Sequence, residues 1–329
     1  MTDDIRWGIL GTGSIATKFA TDLQLLSDHR VVAVGSRQQP SAAEFAARVD
    51  APHAYGSYEE LCADPDVDVV YVATPHPFHA RHALLALRAG KHVLVEKPFA
   101  VNAVEAADVI ETARQEGLFC MEAMWTRFSP HMRKIRELLD SGVLGELRTV
   151  IADHGQRFLP PDLTSRLYAA DLGGGALLDL GIYPVSLASF VMGAPARVTA
   201  VGDLTETGVD AQTSVLLQYD GGGHAVLTTT LGARTPTTAS ITGTEGWVEI
   251  ERVWYQPSAF SVHLESGEAQ RFDEPRVGNG LRYQADDVGR CLRDGLLESA
   301  VMPLDETLSI MTTMDEIRRQ IGVRYPFEE

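Results

Sequence analysis

The segment Gly8-Ile9-Leu10-Gly11-Thr12-Gly13-Ser14-Ile15-Ala16 constrains this chain more than any other, because it sets a GxGxxA turn between an apolar run and a helical pattern. Gly11 permits the tight turn, Gly13 lets backbone approach a pyrophosphate with no side chain between, and small Ala16 allows close packing of helix on strand. The helix start then offers unpaired N–H groups and a positive dipole end to phosphates, with Thr12, Ser14 and Ile15 completing the cradle. A glycine turn alone also occurs in α/β folds that bind no nucleotide. Here the strand, the helix, a second strand and its terminal Ser36-Arg37 follow in the order that a dinucleotide site requires.

The pattern continues as strand, helix, strand: Ile5 to Leu10, Ser14 to Leu26 and Val31 to Gly35. Helices are expected over Ala42 to Val49, His79 to Ala89 and Ala103 to Glu116, with strands at Val67 to Val72, His92 to Glu96 and Leu118 to Glu122. Strands alternating with helices at this spacing imply a doubly wound parallel sheet. Beyond it the character changes. Residues 146–155, 196–204, 211–219, 224–231, 237–242, 246–251 and 260–264 read as strands between Gly, Pro and Asp turns, and Gly221 to Gly223 as a hairpin turn. Helices at Met132 to Ser141, Ala176 to Met192, Tyr283 to Asp294 and Leu304 to Gln320 complete the second part. The expected fold is therefore α/β, an N-terminal Rossmann domain over residues 1–122 followed by an α+β domain over 123–329 with a large, mostly antiparallel, open-faced sheet.

Charge and cysteines narrow the partners. A net charge of −17 with no basic run repels nucleic acid and anionic membrane surfaces. Cys62, Cys120 and Cys291 show neither CxxC spacing nor a paired Cys/His arrangement, and no histidine pair has helical metal spacing backed by a third ligand, so no metal is expected. Met1 to Arg6 lacks a cationic and apolar leader pattern, and no stretch approaches the roughly 18 consecutive apolar residues of a membrane span. A soluble cytoplasmic protein is the expectation.

Ser36-Arg37 speaks to the cofactor. An NAD-selective site places an acid at the end of the second strand, whereas Ser36 can donate to a 2′-phosphate and Arg37 can form a planar charge-assisted contact with it, so NADP is preferred over NAD. Thr74, Pro75, His76 and His79, and then Glu96-Lys97-Pro98, sit just beyond parallel strands, at the edge where such sheets bind ligands. Proline disfavours helix in its predecessor, which holds Lys97 on an extended backbone.

The Glu96-Lys97-Pro98 run resembles the EKP signature of the Gfo/Idh/MocA oxidoreductases. The resemblance extends over the glycine turn, Thr74 to His79, Gly90 to Pro98, and Gly173-Gly174-Gly175-Ala176-Leu177-Leu178-Asp179-Leu180-Gly181-Ile182-Tyr183. Within the family, Met121 to Phe128 and the Asp179 to Pro184 run are most similar to the dimeric dihydrodiol dehydrogenases and the NADP-dependent D-xylose dehydrogenases grouped with them. Tyr183, where many sugar dehydrogenases of the family have His, supports that branch. The resemblance implies oxidation of a secondary alcohol or sugar hemiacetal, a homodimer or higher homo-oligomer formed through the second sheet, and Lys97, Asp179 and Tyr183 in the active site.

The residue chemistry agrees. Asp179 and Tyr183, spaced i, i+4, share one face of a helix, and the glycines ahead of them would let a substrate or cofactor approach the helix start. Lowering a tyrosine by about three pKa units takes about 4 kcal/mol, comparable to one ammonium about 4 Å away at an effective dielectric of about 20. Tyr183 is thus assigned as proton acceptor, Lys97 as its electrostatic activator, and Asp179 as the group holding Lys97 or the substrate hydroxyl; Lys97 as the base is the chemical alternative. Trp125 is expected to wall the nicotinamide end, and Arg127, Phe158 and Trp254 to line the substrate pocket.

Two other functions fit the same residues: reduction of a keto sugar or dicarbonyl, and a non-catalytic NADP-binding sensor. On the cofactor reading, Ser36→Asp with Arg37→Ala shifts preference toward NAD, and unchanged NADP/NAD selectivity in steady-state kinetics defeats it.

Overall fold

The computed structural model describes residues 4–273 and 275–328. They form two compact units, Met1–Phe128 with Val277–Thr307, and Ser129–Arg276 with Leu308–Glu329. The chain thus passes between units at 128/129, 276/277 and 307/308, where the sequence reading has a single passage at 122/123.

The first unit is built on β1 (Ile5–Leu10), α1 (Ser14–Leu23), β2 (His29–Gly35), α2 (Gln39–Val49), β3 (His53–Tyr55), α3 (Tyr58–Cys62), β4 (Val69–Val72), α4 (His79–Arg88), β5 (His92–Glu96), α5 (Ala103–Glu116) and β6 (Cys120–Ala123). The strands lie in the order β3-β2-β1-β4-β5-β6, every pair parallel, which reverses direction of winding between β1 and β4. β4 and the core of β5 are buried on both faces, so they read as continuous Val/Leu runs rather than alternating ones. α1 ends three residues short of the expected Leu26 because Leu25 and Leu26 turn back with i→i+3 bonds to Asp22 and Leu23. β3 and α3, three and five residues long, were too short to leave a periodic signal.

The return segment is fastened by one buried acid. Asp22 on α1 accepts the N–H of Asn279 at 2.8 Å and of Leu281 at 2.7 Å, and also the Asn279 amide at 2.9 Å. It thereby caps the chain entering α8 (Arg282–Arg293), whose first N–H groups have no other acceptor within the helix.

The second unit holds α6 (Pro130–Asp140), β7 (Leu147–Gly155), α7 (Ile182–Met192), β8 (Arg197–Leu204), β9 (Asp210–Gln218), β10 (His224–Thr230), β11 (Ala239–Gly243), β12 (Gly246–Ile250), β13 (Phe260–Leu264) and β14 (Ala269–Phe272). α9 (Leu304–Ile321) begins in the first unit and ends in the second. The eight strands run β14-β13-β12-β11-β7-β10-β9-β8, antiparallel except for β7 beside β10. Tyr219 and Gly223 close the expected β9–β10 hairpin. β14, exposed and without apolar alternation, was missed.

Alternation of buried and exposed positions along β9 and β10 gives this sheet one covered and one open face. α7 packs on β7 and β10, and Ile182 to Val191 are buried all round. The stretch Ala170–Met192 is apolar and long enough to cross a membrane, contrary to the expectation that none comes near, but 94% of an 18-residue apolar window within it is buried inside the fold, as a core helix is.

Its first turn also departs from the expected helix over Ala176 to Met192. Leu177–Gly181 is a π turn, and the Ile182 N–H reaches the Leu177 carbonyl. Pro184 accounts for the widening: it offers no N–H to the Leu180 carbonyl, and in an ordinary α turn its ring would clash with that oxygen.

Candidate active site

In the first unit the expected cofactor residues collect at the carboxyl edge of the parallel sheet. Gly11, with φ at +103°, leaves no space for a side chain, since a Cβ would stand 2.7 Å from the Ala73 carbonyl oxygen. Gly13 is the opposite case: it caps α1 with no side-chain hydrogen bond, and nothing lies within 4 Å of where its Cβ would be. With no acidic residue in the first turn, that helix start fits a pyrophosphate, and exposed Ser14 with half-buried Thr12 and Ile15 flank it. Ser36 ends β2 half-buried, its N–H donating to Tyr55 at 3.1 Å, and Arg37 is exposed.

Two loops beyond β4 and β5 are tied together by His79. Its Nε2 lies 2.7 Å from the Thr74 carbonyl oxygen and its Nδ1 2.7 Å from that of Pro98. Only an imidazolium donates to both; burial opposes that charge and pulls the pKa down, while the two carbonyls pull it back. Neighbouring His82, at 3.0 Å from the Thr74 hydroxyl, is pushed down to about 4 by burial. Pro75 is exposed and His76 half-buried, with the His76 ring edge-on to His79 at 5.6 Å. Glu96 is buried and bonded to the Tyr71 hydroxyl, and half-buried Lys97 follows it directly.

Trp125 and Arg127 belong to a buried turn after β6. Arg127, expected in the substrate pocket, is 2% exposed and pairs with Glu306 at 2.7 Å, so its charge is committed to the interior. Trp125, at 8% exposure, keeps only an edge toward solvent.

In the second unit Asp179 lies on the π turn and Tyr183 on the first turn of α7, both nearly buried. Arg166, unnoticed in the sequence, reaches both Asp179 oxygens, at 2.9 and 3.4 Å, a two-pronged contact that favours the carboxylate. Around Tyr183 stand His154, edge-on at 5.3 Å, and Tyr255 at 4.9 Å, themselves stacked at 4.2 Å, with the Gln156 amide 3.1 Å from His154 Nε2. No short motif marks His154 in the sequence. Its only signal is the alternation Val150, Ala152, His154 along β7, which sets a histidine at the end of a buried apolar row.

Trp254 is 1% exposed and its indole N–H donates to the Asp153 carbonyl at 2.9 Å, whereas the adjacent Tyr255 is the ring that meets Tyr183. Phe158 is partly buried against Leu167, Tyr168, Ala176, Leu180 and Leu231.

The glycine run packs closely against its own chain. A Cβ on Gly174 would meet the Leu167 carbonyl at 2.8 Å, and one on Gly175, with φ at +116°, would meet Asp210 Oδ1 at 2.3 Å. Asp210 accepts the Leu177 N–H and the Thr213 hydroxyl, both at 2.8 Å, and so anchors the turn that carries Asp179.

His53, Asp64 and Asp66 bring potential metal ligands within 4.8 Å of one another, a proximity that the sequence spacing did not reveal. They are bonded among themselves and their neighbours, with His53 to Asp64 at 2.7 Å, Asp66 N–H to Asp64 at 2.8 Å and Arg6 to Asp66 at 3.2 Å.

Comparison with known proteins places the whole. Residues 5–124 match the family described as "Oxidoreductase family, NAD-binding Rossmann fold", and residues 132–249 the "GFO/IDH/MocA C-terminal domain". The chain belongs to the Gfo/Idh/MocA oxidoreductases. It is 45% identical to trans-1,2-dihydrobenzene-1,2-diol dehydrogenase of Mus musculus and 42% to that of Homo sapiens, covering 98% of each protein. Among solved structures it is similar to aldose-aldose oxidoreductase from Caulobacter crescentus complexed with glycerol, at TM-score 0.88 and 27% identity over 97% of this chain and 98% of that one. With the same coverage, it is similar to KijD10, a 3-ketoreductase from Actinomadura kijaniata in complex with NADP and TDP-benzene, at 0.84 and 29%.

Burial pushes Asp210 from 3.8 up to about 6, so the folded protein binds this proton more tightly than the unfolded chain, and stability is lost as pH rises through that interval. Asp210→Asn, which keeps an acceptor for Leu177, is expected to exceed the parent by about 3 kcal/mol at about pH 8, with the gain fading toward about pH 4. Urea unfolding at the two pH values measures it; a gain that does not depend on pH rejects the assignment.

Proposed function

We propose that this protein is an NADP-dependent dehydrogenase that oxidises a secondary alcohol or sugar hemiacetal, with a trans-dihydrodiol or an aldose such as D-xylose or D-glucose as substrate. The observation that carries the reading is the meeting at one sheet edge of the open Gly13 helix start, Ser36-Arg37 and Lys97. The dihydrodiol dehydrogenases and the aldose-aldose oxidoreductase support the substrate class. The NADP-bound 3-ketoreductase supports both the phosphorylated cofactor and the reverse, carbonyl-reducing direction. The first unit is read as the nucleotide domain and the second as the substrate and oligomerisation domain.

The bound dinucleotide supplies the hydride acceptor. Tyr183 acts as the phenolate that the Lys97 ammonium stabilises: its phenolic oxygen takes the hydroxyl proton and becomes neutral as the hydride leaves the same carbon for the cofactor, and Lys97 also donates to the substrate hydroxyl. The pairing of these two residues rests on the family resemblance. Asp179, held by Arg166, orients this arrangement as a carboxylate, and the His154 and Tyr255 rings keep water from the face of Tyr183 that they cover.

A homodimer formed through the open face of the large sheet fits its apolar surface. Val226 is 42% exposed and stands in register with Ile151 at 51% and Leu216 at 36%, a continuous row across three strands. A cytoplasmic location fits three free, buried cysteines.

NADP reduction followed at 340 nm over a panel of aldoses, cyclic diols and polyols tests the activity, and cofactor binding without turnover on any of them favours a sensor. Tyr183→Phe is expected to lower kcat by about 10²–10⁴; near-normal turnover in that variant, with loss in Lys97→Met, transfers the proton acceptor to Lys97. Val226→Glu is expected to convert a dimer to a monomer by light scattering with little change in Tm, and a parent protein that is itself monomeric removes the dimer reading.

A further inference from the structure

Behind the loop that carries Lys97 lies an acid that the reaction itself does not touch. Glu122 stands on β6 opposite Val95 of β5, shielded completely from solvent. The hydrogen-bonded ladder between these strands ends one residue further on, at Glu96 opposite Ala123, so the backbone after Lys97 has no strand partner. Pro98 has no N–H and its carbonyl faces His79, so the Phe99 N–H is the first backbone donor after Lys97 that can anchor that loop. Its N–H donates to Glu122 Oε1 at 3.1 Å.

The acid is held in turn. Thr307 makes a long contact to Oε2 at 3.5 Å, and the buried Arg127 guanidinium attracts the carboxylate while pairing with Glu306. Burial nevertheless pushes the Glu122 carboxyl up to about 7. An apolar residue would fill this part of the core without that strain on ionisation. What it could not do is satisfy the Phe99 N–H, because Phe99, Ala100 and Val101 are all buried and the surrounding loop excludes water from them.

We propose that Glu122 is a positioning residue for Lys97: its carboxylate extends the β5–β6 pairing by one side-chain hydrogen bond and so fixes the loop from which the ammonium projects. This rests on the reading of Lys97 as activator of the proton acceptor. Arg127, expected at the substrate, then acts through Glu122 instead.

Amide exchange over residues 97–101 and a double-mutant cycle test the proposal on the intact protein. Glu122→Met is expected to speed exchange at the Phe99 amide about tenfold or more and to lower kcat about ten- to a hundredfold, with KM held within about threefold. In a Lys97→Met background the same change is expected to alter kcat less than about twofold, since the group it positions is gone. Equal losses in both backgrounds, or unchanged Phe99 exchange, overturn the proposal. Where the Met variant does not fold, Glu122→Asp, still charged but shorter by a methylene, is expected to show the same pattern in smaller measure. Near-normal turnover in Lys97→Met alone instead removes the functional reading, and the exchange measurement still decides whether Glu122 holds the loop.

Discussion

Parallel strands must all be entered from the same end, and the first unit depends on that rule. Each of β1, β2, β4, β5 and β6 delivers its carboxyl end to one edge, so residues scattered from Gly11 to Trp125 follow strand ends on the same side of the sheet. The reversal of winding between β1 and β4 opens the sheet where the glycine turn stands. Everything else at that edge secures the loops: His79 bridges Thr74 to Pro98, and Glu122 takes over where the β5–β6 ladder stops.

The second unit answers a different constraint. Tyr183 is held with little freedom, because α7 is apolar on every side and begins in a wide turn. The wide turn is pinned by a carboxylate beneath it, Asp210, which approaches so closely that only glycine fits at 175. Above it, Arg166 closes on both oxygens of Asp179.

Much of this was legible because the signals were local. The glycine turn, the apolar parallel strands and the alternation along β7 to β13 each occupy a few consecutive residues, and they gave the fold. Gly11, Gly13, Ser36 and Lys97, expected at the site from short motifs, lie at or just beyond the ends of β1, β2 and β5, as those motifs imply for their place in the chain. What escaped depends on contacts between distant residues. Arg166 is thirteen residues from Asp179 across an irregular loop, Tyr255 and His154 reach Tyr183 from separate segments of the sheet domain, and the glycine run looked like a ligand approach because Asp210, which fills the space, comes 35 residues later. Arg127 and Trp254 illustrate the converse: side chains suited to binding were assigned to a pocket, but the core claimed them.

The fastening of α8 by Asp22 has a consequence for how the protein is made. Asp22 emerges from the ribosome early, with the first helix, while Asn279 and Leu281 follow more than 250 residues later. Through most of synthesis a carboxylate destined for the interior therefore stays hydrated, and the N-terminal sheet can assemble its strands but not close over that helix. Completion of the first unit waits on residues 277–307, so its first helix is fastened only when nearly the whole chain has been made.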